Sequence, residues 1–275
     1  ARTGLLVPSA AQLRMYFWHE FARGSALYNV PVVLSLHGCV DPAALQSSLR
    51  GLMQRHDLLR SRWVVTGSVP MLAFDAGTQW RMNHIALRDD ANASKQQRFE
   101  ELAAHQAQAR FELTRDGPMR ATLVTLDAHE HRLLWTLHHN VCDGWSVGVL
   151  IDELCQLYEA LSQDRAAELP EPELQYADFA AWERQWLDNG VRESEMAYWM
   201  QHLKGVPAAT DLPTDRQRPA VQRFHGARVP IIFSTARLGA LRALAKRTQT
   251  SLFMVVAAAW QALMHRYSAQ STVVT

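Results

Sequence analysis

Between Met119 and Leu161 the hydrophobic period switches from two to three or four. Two β-rich runs, Met119 to Leu126 and His131 to His139, flank the polar tetrad Asp127-Ala128-His129-Glu130, and a stripe of Leu150, Ile151, Leu154, Leu157, Tyr158 and Leu161 follows. The first pattern specifies strands joined by a turn, the second an amphipathic helix. The stretch is thus held to a hairpin whose second strand leads straight through "LHHNVCDGWS", Leu137 to Ser146, into a helix.

The other segments read in the same way. Ser9-Ala10-Ala11-Gln12 has capping-box spacing, in which a serine and a glutamine three residues on satisfy free backbone donors at a helix start. A helix with Leu13, Met15, Tyr16, Phe17, Trp18 and Phe21 is predicted behind it, with Tyr16 and Trp18 in the core. Asn29 to Leu36 reads as extended, Asp41-Pro42 as the cap and first-turn proline of a helix ending near Gln54, and Leu59 to Val65 as a strand. Asn92 to Phe111 and Tyr176 to Leu203 are helical by composition. Ala227 to Phe233 reads as extended, ahead of helices at Arg237 to Arg247 and Ser251 to Tyr267. Asp164 to Glu173 and Leu212 to Gln222 read as connections. This mixed order predicts an α/β fold. Ser271 to Thr275 has strand composition, and the natural polypeptide is expected to continue past it.

Bulk properties exclude several classes. With 48% hydrophobic and 20% charged residues the chain is expected to fold, not to stay disordered. A formal net charge of +1 leaves no basic surplus for a polyanion, so no nucleic-acid partner is expected. Cys39, Cys142 and Cys155 are an odd number without CxxC pairing, which suggests neither a disulfide framework nor a zinc knuckle and fits a reducing, cytoplasmic setting. No signal-peptide pattern opens the sequence, and its most apolar stretch, Leu252 to Met264, is shorter than the about 20 residues of a membrane helix. No membrane association is expected, and that stretch reads as a buried helix.

Side chains alternate along a strand, so Leu133, Trp135, Leu137 and His139 share one face while Arg132, Leu134, Thr136 and His138 share the other. The two histidines therefore cannot face one cavity. Asp143-Gly144 reads as a tight turn, with glycine tolerating positive φ, and Ser146 as the cap of the helix. Three readings of the histidines stand at this point. A metal site would need His139 and Asp143 on one helical face, which the β-rich approach and Gly144 oppose. Satisfied core histidines are the bland reading. A proton-handling site is favoured by the strand end, the charge and the glycine turn gathered in one place. An imidazole, with an ordinary pKa of about 6.5, accepts or steers a proton near neutrality. Serine-protease logic is not expected, and the carboxylate beside Cys142 disfavours a thiolate. Direct transfer between two bound substrates is the better expectation.

"HHNVCDGWS" resembles the HHxxxDG signature of condensation domains from nonribosomal peptide synthetases, relatives of chloramphenicol acetyltransferase. "SAAQLRMYF" (Ser9 to Phe17) is similar to that family's first motif, "RHDLLRSRW" (Arg55 to Trp63) to its second and "YADFAAWERQW" (Tyr176 to Trp186) to its fourth. "LPTDRQRPAVQRFHGA" (Leu212 to Ala227) resembles the stretch between its lobes and "SLFMVVAAAWQALMHRYSAQSTVVT" (Ser251 to Thr275) part of its second lobe. The resemblance implies two acetyltransferase-like lobes, here 1–175 and a partial 176–275. It implies amide-bond-forming condensation of acyl and aminoacyl groups carried on the 4'-phosphopantetheine arms of an upstream donor and a downstream acceptor carrier protein, with an adjacent adenylation domain and no cofactor or metal of the chain's own.

Carried onto this sequence, the resemblance makes His139 the catalytic histidine, facing the substrate channel, and packs His138 inward. Asp143 becomes structural, paired with an arginine, for which Arg60 is the candidate, since a buried aspartate without a partner costs several kcal/mol. Gly144 would leave room for the thioester and offer its N–H to a developing oxyanion; Trp145 and Ser146 complete the motif. His138 argues against the heterocyclising variant and Gly144-Trp145-Ser146 against the epimerising one. The later motifs of the second lobe have no counterpart, so activity of these 275 residues alone is not implied. A freestanding acyltransferase acting on a small alcohol or amine and a non-catalytic docking domain are the competing functions.

Overall fold

The computed structural model describes residues 4–22, 25–67, 69–74, 80–87, 94–217, 219–220 and 229–274. Two compact units emerge, Ala1–Asn189 and Gly190–Thr275.

The first unit holds a mixed sheet of four strands. β2 (Asn29–His37), β7 (Glu130–His138), β6 (Met119–Thr125) and β5 (Asn83–Ala86) lie in that order. β7 runs antiparallel to both neighbours, and β5 runs parallel to β6. The expected hairpin is present in register: Met119 stands opposite Leu137, and Thr125 opposite His131. A smaller sheet joins β1 (Leu5–Leu6), β4 (Val69–Phe74) and β3 (Ser61–Thr66). β4 and β5 have no counterpart in the sequence reading, because neither short run shows sustained alternation. The strand expected from Leu59 begins at Ser61, behind a single helical turn over Asp57–Arg60.

Helices cover both faces of the larger sheet. On one side Leu133, Trp135 and Leu137 of β7 pack with Leu45, Leu49 and Leu52 of α2 (Pro42–Arg55) and with Leu150 and Leu154 of α4 (Gly144–Leu161). On the other, Val124 and Leu134 meet Phe99, Leu102 and Ala103 of α3 (Lys95–Gln108). The α3 start lies inside the predicted span, whose first residues, Asn92 and Ala93, fall outside the described ones. Burial on both faces explains why β7 is buried nearly throughout, where simple alternation anticipates one face.

α1 (Ala10–Phe21) begins with the predicted capping box, Ser9 accepting from Gln12 N–H and Gln12 reaching back to Ser9 N–H. Its buried stripe is Gln12, Tyr16 and His19, and Tyr16 stacks on Trp63 with ring centroids 4.2 Å apart. Trp18, expected in the core, is exposed with Phe17 and Phe21, because the stripe runs one residue to the side of the aromatic cluster. α5 (Tyr176–Trp186) follows the 1–175 segment and belongs to the first compact unit.

In the second unit α6 (Arg192–His202), α7 (Thr235–Arg247) and α8 (Leu252–Ser268) are helical as expected, and α7 packs on α8. Contrary to the buried-helix expectation, α8 has no fully buried residue, and Phe253, Met254, Trp260 and Tyr267 are exposed. Among the described residues α7 alone packs broadly on it, which leaves the rest of its apolar circumference bare. The described part of the Ala227–Phe233 segment, 229–233, forms no strand, and neither does 271–274. Residues Ala227 and Arg228, the 221–227 part of the Leu212–Ala227 stretch and Thr275 lie outside the described residues. No described helix is long and apolar enough to cross a membrane.

Candidate active site

β7 ends at His138 and α4 begins at Gly144, so the motif occupies the predicted strand-to-helix junction. Backbone bonds fix its entry: His138 N–H donates to the Pro118 carbonyl and His139 N–H to that of Tyr28, each at 2.8 Å. Gln12 reaches from α1 to the carbonyl of Asn140 at 3.0 Å. Ser9, which caps α1, also meets the Tyr176 hydroxyl at 3.1 Å.

The two histidines diverge as alternation requires. His139 is exposed, and its Nδ1 lies 2.8 Å from the carbonyl oxygen of Cys142. A carbonyl only accepts, so Nδ1 carries the proton and the neutral ring keeps its lone pair on Nε2. Nε2 has no hydrogen-bond partner among the described residues, which leaves a base available to an incoming proton donor. His138, by contrast, is fully buried. Its Nε2 lies 3.2 Å from Nδ1 of His19, whose own Nε2 is 3.0 Å from the Phe111 carbonyl. Burial, with the neighbouring His19, pushes His138 down to about 3, and it stays neutral at any physiological pH.

Asp143 is exposed and serves as the N-cap of α4, its Oδ1 accepting from the backbone N–H of Ser146 at 2.7 Å and from the Ser146 hydroxyl at 2.6 Å. Those bonds hold its carboxyl below the ordinary value. Three expectations change here. The cap is Asp143, not Ser146, because the helix starts one turn earlier than the hydrophobic stripe reveals. Gly144 is the first helical residue and is absent from the positive-φ glycines; a Cβ there would meet nothing within 4 Å, so its contribution is open space. The pairing of Asp143 with Arg60 is replaced by two local ones: Arg60 is buried and bonds Asp57, three residues before it, while Asp143 turns to its own helix.

Gly144-Trp145-Ser146-Val147-Gly148 has the G-x-S-x-G spacing of a nucleophile elbow. The geometry is not that of an elbow: Ser146 lies inside α4, with its hydroxyl donating to a carboxylate and no positive φ. Cys142 is no nucleophile either. Burial, then the adjacent Asp143, pushes its thiol up to about 12. Among the described residues no group of three or more His, Cys, Asp or Glu side chains converges on a cation site.

Beside the motif lies a cavity of about 230 Å³ lined in part by His56, Val141, Trp145, Ser146, Leu174 and Tyr176. Trp145, 84% exposed, forms part of its wall. His56 and Arg55, from the second sequence motif, both hold Glu153 of α4, at 2.6 and 2.9 Å. Burial alone would raise the Glu153 carboxyl, but these bonds outweigh it and the net direction is down. The sequence reading passed over His19 and Asn140. The stripe of Gln12, Tyr16 and His19 at spacings of four and three was the available signal, since polar residues on a helix's buried face need partners elsewhere in the fold.

Residues 4–275 match the Condensation domain family. The chain is 40% identical over 266 residues to a linear gramicidin synthase polypeptide of Brevibacillus parabrevis, covering 97% of this chain and 3% of that protein. It is 37% identical over 277 residues to malpibaldin synthetase of Mortierella alpina, covering 100% of this chain and 5% of that protein. Among solved structures it is similar to the X-domain in the complex of the X-domain and OxyB from teicoplanin biosynthesis, with TM-score 0.83, 29% identity and coverage of 98% of this chain and 58% of that one. The first condensation domain of the CDA synthetase, at 21% identity and TM-score 0.76, shares the fold over 99% of this chain and 64% of its own.

Proposed function

The chain belongs to the condensation-domain family, and from that premise we propose that it is part of an enzyme that joins a carrier-bound acyl or peptidyl thioester to a carrier-bound aminoacyl amine. The amine nitrogen attacks the thioester carbon, the C–N bond forms, the C–S bond breaks and the thiol leaves on its carrier. The observation that carries this reading is the His139–Cys142 contact, which puts the single proton of a neutral imidazole on Nδ1 and so leaves the lone pair on Nε2, the nitrogen that takes the proton the amine loses. His138, buried and neutral, is the structural partner. Gly144, the first residue of α4, leaves the approach to the thioester open, and in this reading its N–H, in the first turn of the helix, is the donor to the oxyanion. Asp143, Trp145 and Ser146 shape the helix start, and Arg60 supports the segment below it through Asp57. The reaction is downhill, so alignment of the two substrates supplies most of the acceleration, about 7–11 kcal/mol from proximity alone.

In this reading the substrates arrive on the 4'-phosphopantetheine arms of donor and acceptor carrier proteins, an adenylation domain lies beside the chain, and residues 1–175 and 176–275 belong to two lobes of one cytoplasmic multidomain synthetase. That the chain spans only 3 to 5% of its gramicidin and malpibaldin relatives supports a module within a larger assembly over a freestanding acyltransferase. The test is single-turnover amide formation by the complete parent polypeptide with both carriers loaded. His139→Ala is expected to slow product formation by ~10²- to 10⁴-fold while leaving the unfolding midpoint unchanged, since the ring is exposed. Product at the wild-type rate would sink the assignment. A second reading, a docking domain without turnover, is favoured by the likeness to an X-domain solved in complex with OxyB; partner binding by a wild-type chain that makes no amide would establish it.

A further inference from the structure

We infer that His19, on α1, is a positioning residue for the His138–His139 pair, acting through a one-way chain of hydrogen bonds. The inference rests on the condensation reading for its kinetic consequence, not for its geometry.

The direction of the chain follows from its inner end. The Phe111 carbonyl only accepts, so His19 Nε2, 3.0 Å away, carries hydrogen. His19 is buried, and burial together with the Arg110 guanidinium favours its neutral ring, so its Nδ1 is bare. His138 Nε2, 3.2 Å from that nitrogen, must then donate, which leaves His138 Nδ1 as an acceptor. The backbone N–H of Asn140 points to Nδ1 at 3.2 Å. Oδ1 of Asn140 also lies 2.7 Å from Nδ1; two acceptors repel at that distance, so the chain requires the Asn140 amide turned by half a turn, with its NH₂ donating to the ring. Every contact is then donor to acceptor, and each ring has a single tautomer.

Position matters because the same turn carries the base. The carbonyl of His138 accepts the Val141 N–H at 3.1 Å and faces the Cys142 Sγ at 3.7 Å, and the carbonyl of Cys142 accepts from His139. Without His19 the His138 Nε2–H is buried with no acceptor. The ring's remedy is to rotate, which breaks its bond with Asn140 and releases the turn that aims His139.

Two substitutions separate hydrogen bonding from packing. In the complete parent polypeptide, H19Q keeps an acceptor and a donor about as far apart as the two ring nitrogens, whereas H19L keeps only bulk. Under saturating loaded carriers, H19Q is expected to retain kcat within about 3-fold, while H19L loses ~10- to 100-fold with KM little changed, the scale set by small misplacements of a reacting group. Equal rates for the two variants would overturn the inference. Nitrogen-15 histidine spectra of the 275-residue chain give an activity-independent readout: His138 is expected as the Nε2–H tautomer, and the Nδ1–H tautomer would refute the chain even if H19L fails to fold. Absence of any product from the wild-type polypeptide would instead count against the condensation reading and leave the tautomer result to decide the geometry.

Discussion

Oδ1 of Asp143 accepts both the backbone N–H and the hydroxyl of Ser146, at 2.7 and 2.6 Å, and thereby closes the first turn of α4. The aspartate of the signature is thus spent on a helix cap. That bond also dictates where the turn ends, so the spacing between His139 and the open space at Gly144 is set by a local interaction, not by a long-range ion pair.

A cap of this kind contributes about 1 kcal/mol, within a usual range of about 0.5–2. Asp143→Ala is expected to lower unfolding free energy by that amount. In double-mutant cycles read by urea denaturation, Asp143→Ala with Ser146→Ala should couple by about 0.5 kcal/mol or more, whereas Asp143→Ala with Arg60→Leu should add to within about 0.5. A large Asp143–Arg60 coupling would restore the long-range pairing that the sequence resemblance implied.

The cysteines divide by environment. Cys39 and Cys155 are exposed, whereas Cys142 is buried with its thiol at about 12. Alkylation by iodoacetamide at pH 8, followed by intact mass, is expected to label the two exposed thiols in the native chain and the third only after unfolding, because the thiolate is the reacting form. Rapid native labelling of Cys142 would mean that the turn behind His139 opens readily, and the fixed aim of that imidazole would be lost with it.

Legibility in the sequence tracked how local each interaction is. The capping box at Ser9, the Asp41 cap with Pro42 and the hairpin ahead of His138 involve neighbours in sequence, and all three are present in the structure. Divergence of His138 and His139 followed from strand alternation alone. What escaped was set by tertiary partners: β5 is held by β6, and His19 meets a ring 119 residues away. Arg60 and Asp143 show the converse error, in which a family expectation named a distant partner where each residue has one within three positions.

Acid stability offers the sharpest check on the buried histidines. An unfolded histidine titrates near 6.5, whereas His138 is pushed down to about 3 and His19 is also lowered, burial being the first cause for both. Around His19, Arg110 adds to the lowering while Glu20 and Glu112 oppose it. Between those values the unfolded chain binds protons that the folded chain refuses. Stability is therefore fully present above about pH 6.5 and falls as pH drops toward the folded value, with a slope of up to ~1.4 kcal/mol per pH unit for each such histidine. Most carboxylates titrate below about pH 5, so the interval from 6.5 to 5 isolates the histidine contribution. Urea midpoints should be nearly equal at pH 7.5 and 6.5 and then decline through 5.8 to 5 for the wild type, and the decline should be shallower in His138→Gln, which has nothing to protonate at that position. An identical slope in the variant would mean that His138 takes up its proton while folded, and the neutral His138–His19 contact could not then be the one that holds the turn.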